Sequence, residues 1–483
     1  MKVAEANGNG VRAVVNARVV LPELGVFRGG LSIRDGRVED FWEGDERTLS
    51  GAGVIDAGGR YLLPGLIDPH VHFGLLPPLS SRLPAESAFA ASGGVTTLLH
   101  YFRRPESYLE TFPQFLAVAR ETHLQDFAVH LTLFNRAQVE EMERYLAEFG
   151  VTSFKIYMML KGALGRGIVM DQLTAEGELD VADVDFDDGH MYEAFRKAAS
   201  LPARVRISVH SENAEIVMHE IERVQGTGLG GLAAWHAARP GESEAIAIQE
   251  VSYLSRTNNV PVYFPHIGSR QAAEGLQTMR DAGTDFGAET GPQYLALTID
   301  DPVGLLAKIT PPIRTIDDQS VIWDALASGL INTIGSDHIP YTNAEKQLGP
   351  VWTTRSAFGA IGLILPVLLT EGVHRGRLTM RRLAQVTSYY SAKLFGLYPR
   401  KGTLLRGSDA DFVIVDPDHE WVVHAAELDS SSEFSVFEGR TMRGRADLTA
   451  VRGTIVYQDG QVVGSPGHGR YYRRYPLVEP EAC

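Results

Sequence analysis

Between Leu62 and Asp337 the chain alternates eight apolar, β-prone runs with stretches of helical periodicity. That rhythm limits the folds open to it, because strand–helix–strand units favour parallel sheets. The runs are Leu62 to His72, Thr96 to Phe102, Phe127 to Phe134, Ser153 to Met158, Val205 to His210, Pro261 to Ile267, Asp285 to Glu289 and Ile331 to Asp337. One unit shows the pattern. After the run ending at Phe134, Asn135 is placed to cap a helix, and Val139, Met142, Leu146 and Phe149 recur at three- and four-residue spacing. Gly150 ends that helix and Ser153 begins the next strand. Eight such repeats over roughly 280 residues predict an α/β fold of the (β/α)8 barrel type. A doubly wound open sheet has the same alternation. The number eight, and the residues at the strand ends, favour the barrel.

The two ends of the chain resemble each other and differ from the middle. Leu31 to Val38 places Asp35-Gly36 between two β-prone runs, and Val451 to Val463 does the same around Asp459-Gly460. Asp-Gly suits the positive φ values of a tight hairpin. Ala410 to Asp416 reads as a further strand. The expectation is a small β-sandwich domain from residues 1–62 and 400–483, flanking a catalytic barrel over 63–399. The connection from Met159 to Phe186 is long and glycine-rich, and it ends in an acidic run. It reads as a solvated loop, as a lid over the barrel mouth or as an oligomer contact.

Composition removes several function classes. A net charge of −15 opposes nucleic-acid phosphates and anionic lipid, so neither partner is expected. No apolar run reaches the length of a membrane-spanning helix. Glu5, Asn7, Asn9 and Arg12 interrupt the N-terminal stretch, which does not read as a signal peptide. The single cysteine, Cys483, allows no internal disulfide, and a cytoplasmic location is expected.

Barrel enzymes carry their chemistry at the C-terminal ends of the strands. The first run ends in His70-Val-His72, and alternation along a strand points both imidazoles to one side. The fourth carries Lys155, the fifth ends in His210, the sixth holds His266 and the eighth ends in Asp337. Imidazoles and a carboxylate suit Zn²⁺ and similar ions. A protonated lysine is a poor ligand, but carboxylation of its amine by CO2 makes it an anionic two-oxygen group.

Several ordered segments sharpen this reading. They are Leu63-Pro-Gly-Leu-Ile-Asp-Pro-His-Val-His72, Gly94-Val-Thr-Thr97, Ser153-Phe-Lys-Ile-Tyr157, Val209-His-Ser-Glu-Asn213, Pro265-His-Ile-Gly-Ser269, Glu289-Thr-Gly-Pro-Gln-Tyr-Leu295, Gly335-Ser-Asp-His-Ile-Pro340 and Gly407-Ser-Asp-Ala-Asp-Phe-Val413. In this order the chain resembles the hydantoinase and dihydropyrimidinase group of the amidohydrolase superfamily. The resemblance implies two divalent metal ions, taken as zinc. One is held by His70, His72, Lys155 and Asp337, the other by Lys155, His210 and His266, with Lys155 carboxylated. It further implies that a metal-bridging hydroxide opens a small cyclic amide or imide, and that Asp337 shuttles the proton to the leaving nitrogen. A homodimer or homotetramer is the implied assembly. An allantoinase-like or other amide hydrolase, or a non-catalytic scaffold, stands as the alternative.

The substrate side departs from the group. Five residues after Lys155, where the group usually has an oxyanion-binding tyrosine, stands Leu160. Tyr157 and His338 are the candidates to replace it. Val351 to Gly359 lacks the usual substrate-binding asparagine, and Leu160, Trp352 and Phe358 point to a more apolar ring. Pro292 is expected to border the substrate. Gly74 stands where dihydroorotases carry a carboxylate-binding arginine, although Arg103 or Arg104 can supply charge.

Overall fold

Strands that are apolar on both faces need cover on both sides, which helices supply in an α/β protein. The computed structural model describes residues 2–3, 10–44, 49–174 and 176–475, and in it this requirement builds a barrel. Eight parallel strands run in sequential order: Leu66–Val71, Val95–Phe102, Asp126–Thr132, Ser153–Tyr157, Arg206–His210, Val262–Phe264, Phe286–Thr290 and Thr333–Ile334. The sheet closes on itself. The Asp337 N–H donates to the His70 carbonyl at 3.0 Å and the His72 N–H to the His338 carbonyl at 3.1 Å, tying the eighth strand to the first. An open sheet is thereby excluded.

Local sequence sets the elements. Asn135 accepts the Gln138 N–H, and Gly150, at φ 68°, ends the helical stretch whose Val139, Met142 and Leu146 are buried. The first predicted run is divided. Tyr61–Pro64 joins a second sheet, and only Leu66–Val71 belongs to the barrel. Gly65 is the joint between them, and a Cβ there would stand 2.2 Å from the Thr96 hydroxyl. The chain can pass from one sheet to the other only on a residue without a side chain.

That second sheet draws its strands from both ends of the chain. Tyr61–Pro64 lies between Ala13–Leu21 and Phe412–Val422, and Phe412–Val422 pairs in turn with Thr441–Val451. Both Asp-Gly pairs are hairpin turns: Asp35 and Gly36 have φ 51° and 72°, Asp459 and Gly460 φ 50° and 85°. Beyond Val463 the chain returns to the barrel, where Phe127 exchanges backbone bonds with Arg470 and Tyr472. Cys483 lies outside the described residues. Among the described residues no helix is long and apolar enough to cross a membrane.

Candidate active site

Five strand ends deliver ionisable side chains to one cavity of about 310 Å³. His70, His72, His210, His266 and Asp337 line it, and the Lys155 ammonium lies behind the wall, 4.8 Å from the Tyr101 ring and 4.9 Å from the Tyr157 ring. One oxygen of Asp337 stands 3.2 Å from Nε2 of both His70 and His72. Ligand atoms of these three residues all lie within 4.8 Å of one another. The His266 ring is 4.5 Å from that of His210 and 5.5 Å from that of His70. His266 and Asp337 hold φ values of 47° and 52°, a left-handed backbone that a non-glycine residue adopts at a cost. Strain of that kind concentrates where side chains must be aimed.

Carboxylates behind the imidazoles orient them. Glu289, fully buried at the end of the seventh strand, accepts from His70 Nδ1 at 2.8 Å and from the Tyr263 hydroxyl at 2.7 Å. This leaves His70 Nε2 facing the cavity. Glu212 holds His210 Nε2 at 2.6 Å and is itself paired with Arg239 at 2.8 Å, leaving Nδ1 of His210 for the cavity. Asp68 accepts the His70 and Ser336 N–H groups, at 3.0 and 3.1 Å, and locks the first strand to the eighth. Carboxylate–histidine pairs of this type fix tautomer and ring angle at metal sites.

The electrostatics fit a cation. Burial pushes His72 down to about 3 and also lowers His210 and His266, so all three are neutral, the form that ligates. Burial opposes charge on His70 as well, but Glu289 and Asp337 override it and raise His70 to about 9. Burial pulls Lys155 down to about 7, and its amine has no hydrogen-bond partner. A buried amine without a partner, behind imidazoles and a carboxylate that converge on one point, is a donor set that divalent ions would complete.

The substrate side is mixed. Leu160 lines the cavity with Leu75, Leu164, Ile168, Trp235 and Ile339, so the 159–186 connection forms a wall of the site. Tyr157 lines it too, its buried hydroxyl standing beside the Arg103 guanidinium with no acceptor for its proton. His338 does not face the cavity. Beyond the strand's last regular residue the backbone turns left-handed at Asp337, and His338 lies on the other side. There its Nε2 bonds Glu86 at 2.7 Å, and its Nδ1 receives the Ala360 and Ile361 N–H groups. Pro292 is buried in the first turn of a short helix and lies off the cavity, as do Trp352 and Phe358. Ser356 and Ala357 are the residues of that last segment that reach it. Arg103 lines the cavity, whereas Arg104 turns away to Glu106 and Asp180.

Sequence reasoning gave no role to Glu289, Glu212 or Arg239. Glu212 follows His210 by two residues and Glu289 ends a strand, so position was the available signal. Arg239 lies on a distant loop and gave none.

Residues 180–456 match the profile of the amidohydrolase family. The chain is 32% identical to the L-hydantoinase of Paenarthrobacter aurescens, covering 95% of this chain and 97% of that one. It is 31% identical to the D-hydantoinase of Geobacillus stearothermophilus, covering 93% of each. The solved dihydropyrimidinase of Brevibacillus agri superposes with a TM-score of 0.85 at 28% identity, over 97% of this chain and 100% of that one. The chain belongs to the amidohydrolase family. Its likeness along nearly the whole length assigns it to the hydantoinase group of that family.

Proposed function

We propose that this chain opens a small ring by hydrolysing a C–N bond of a cyclic amide or imide: a hydantoin, a dihydropyrimidine or a related lactam. One observation carries the reading. A single Asp337 oxygen stands 3.2 Å from two inward imidazoles, in a cavity that two more imidazoles line. His70, His72, Lys155 and Asp337 would hold one divalent ion, and Lys155, His210 and His266 the other, with zinc the ion that suits these donors. Bound there, the ions supply Lewis acidity, lowering the pKa of a water and polarising the substrate carbonyl.

The chain's own residues do the rest. The neutral Lys155 amine adds CO2, forming a nitrogen–carbon bond and releasing one proton, and becomes an anion. Glu289 and Glu212 keep the imidazoles in their ligating tautomers. Asp337 accepts a proton from the attacking water and delivers it to the ring nitrogen as the C–N bond breaks. A homodimer or homotetramer and a cytoplasmic location are part of the proposal, supported by the family likeness and by the single cysteine.

The test is a panel of hydantoins, dihydrouracils, imides and lactams, with product followed for zinc-loaded protein. Ring opening of at least one class is expected. Two bound ions with no turnover of any member would sink the reading and favour a non-catalytic scaffold.

A further inference from the structure

Resting on that reading, the site still lacks a neutral donor for the oxygen that becomes negative when the amide carbonyl is attacked. Leu160 offers only hydrocarbon and packs with Phe134, Met170 and Val184. His338 is committed to Glu86 on the far side of the strand. We infer that Tyr157 is the oxyanion donor of this enzyme, its phenolic O–H donating to the substrate carbonyl oxygen.

Five observations support the assignment. Tyr157 follows Lys155 by two residues on one strand, so both side chains point into the barrel mouth. In register it stands opposite His210, and the two rings are 5.8 Å apart. Phe134 stacks on the tyrosine ring at 6.3 Å and 17°, which fixes its plane. The hydroxyl is buried on the cavity wall and no protein group accepts its proton. A buried hydroxyl proton without an acceptor is costly, so its persistence at a cavity marks a place for an accepting ligand atom. Arg103 lines the same cavity and sets a fixed positive charge beside the Tyr157 hydroxyl. Tyr341, the other cavity tyrosine, makes no ring contact with the imidazoles among the described residues.

In the step itself, water oxygen bonds to the carbonyl carbon and the π pair moves to the carbonyl oxygen. The Tyr157 proton stays on the phenol and its hydrogen bond shortens. When the carbonyl re-forms, the ring C–N bond breaks and nitrogen takes the proton from Asp337. An interaction that strengthens only as charge develops raises kcat more than it lowers KM.

The experiment compares wild type, Tyr157→Phe, Tyr341→Phe and the double variant Tyr157→Phe/Leu160→Tyr. Each is measured for kcat, KM, metal content and affinity for a five-membered cyclic phosphonamidate, whose tetrahedral P–O⁻ mimics the attacked carbonyl. Tyr157→Phe should lose about 10²–10³-fold in kcat. Its KM should stay within about threefold, its metal content should be unchanged, and its phosphonamidate affinity should fall by a similar factor to kcat. Tyr341→Phe should lose less than Tyr157→Phe in both kcat and phosphonamidate affinity, and the double variant should recover part of the loss. Near-normal kcat and phosphonamidate affinity in Tyr157→Phe would overturn the assignment, as would loss of metal or a larger loss in Tyr341→Phe. If wild type opens no ring, the functional reading falls, and phosphonamidate binding still decides the role of the hydroxyl.

Discussion

Two buried acidic clusters sit at opposite ends of this barrel, and they are neutralised in different ways. At the strand starts, Asp126, Asp409 and Asp411 come close enough together to suggest a metal site. Lys401 Nζ contacts all three, at 2.5 Å from Asp411, at 3.1 Å from Asp409 and in a short contact with Asp126. Arg452 adds a second cation on Asp126, and Arg400 a third on Asp409 at 2.7 Å. Three carboxylates thus meet three built-in cations, and that cluster is complete. At the strand ends, Glu212 has Arg239, but Asp337 and Glu289 meet imidazoles and hydroxyls in place of a fixed cation. Two groups whose ligand atoms lie within the same 4.8 Å, one of two imidazoles and a carboxylate and one of three carboxylates, therefore differ in what they require. The mouth needs charge from outside the chain, and the base supplies its own.

Substitutions should separate the two ends. The largest effect is expected from Asp337→Asn, which should lose at least about 10³-fold in kcat while far-ultraviolet dichroism and melting temperature stay close to wild type. Near-normal turnover would remove the shuttle role. Lys401→Met should do the reverse. Leaving buried carboxylates without their cation should cost about 3–5 kcal/mol in unfolding free energy, read by urea titration, with metal stoichiometry unchanged. A stable Lys401→Met protein that binds an extra metal ion would erase the distinction. Glu289→Gln should lower metal affinity about 10–100-fold, measured by competition with a chelator, through loss of the bond that aims His70. The smallest effect is a pH signature. Its carboxylates raise Lys401 above its ordinary 10.5, although burial works the other way. Its contribution to stability is therefore full below about pH 10.5 and is lost as pH rises through the higher folded value. The difference in unfolding free energy between wild type and Lys401→Met should be flat from pH 7 to 10 and shrink above that. A difference that already falls between pH 7 and 9 would contradict the sign.

Local signals gave the sequence reading its strength. The two Asp-Gly hairpins, the Asn135 cap and Gly150 depend on a few neighbouring residues, and all appear as expected. The inward direction of His70 and His72 follows from period-two alternation. The side that His338 takes was not legible in that way, because it follows a left-handed turn at Asp337 beyond the end of the strand. The partners of the imidazoles were harder to find. Arg239 reaches Glu212 across 27 positions and Glu289 reaches His70 across 219, distances over which sequence carries no geometric information. The division of the first run at Gly65 was hidden for a similar reason, since only the packed Thr96 side chain forces it. On the substrate side, hydrophobicity alone pointed to Trp352 and Phe358, while the fold presents Trp235, Ile168 and Ile339 instead.

Zinc-edge anomalous diffraction from crystals of protein prepared with zinc and bicarbonate tests the central claim most directly. Two peaks among His70, His72, His210, His266 and Asp337, with added density on Lys155 Nζ and nothing beside Lys401, is the predicted result. An empty mouth under those conditions, or zinc bound among Asp126, Asp409 and Asp411, would contradict it.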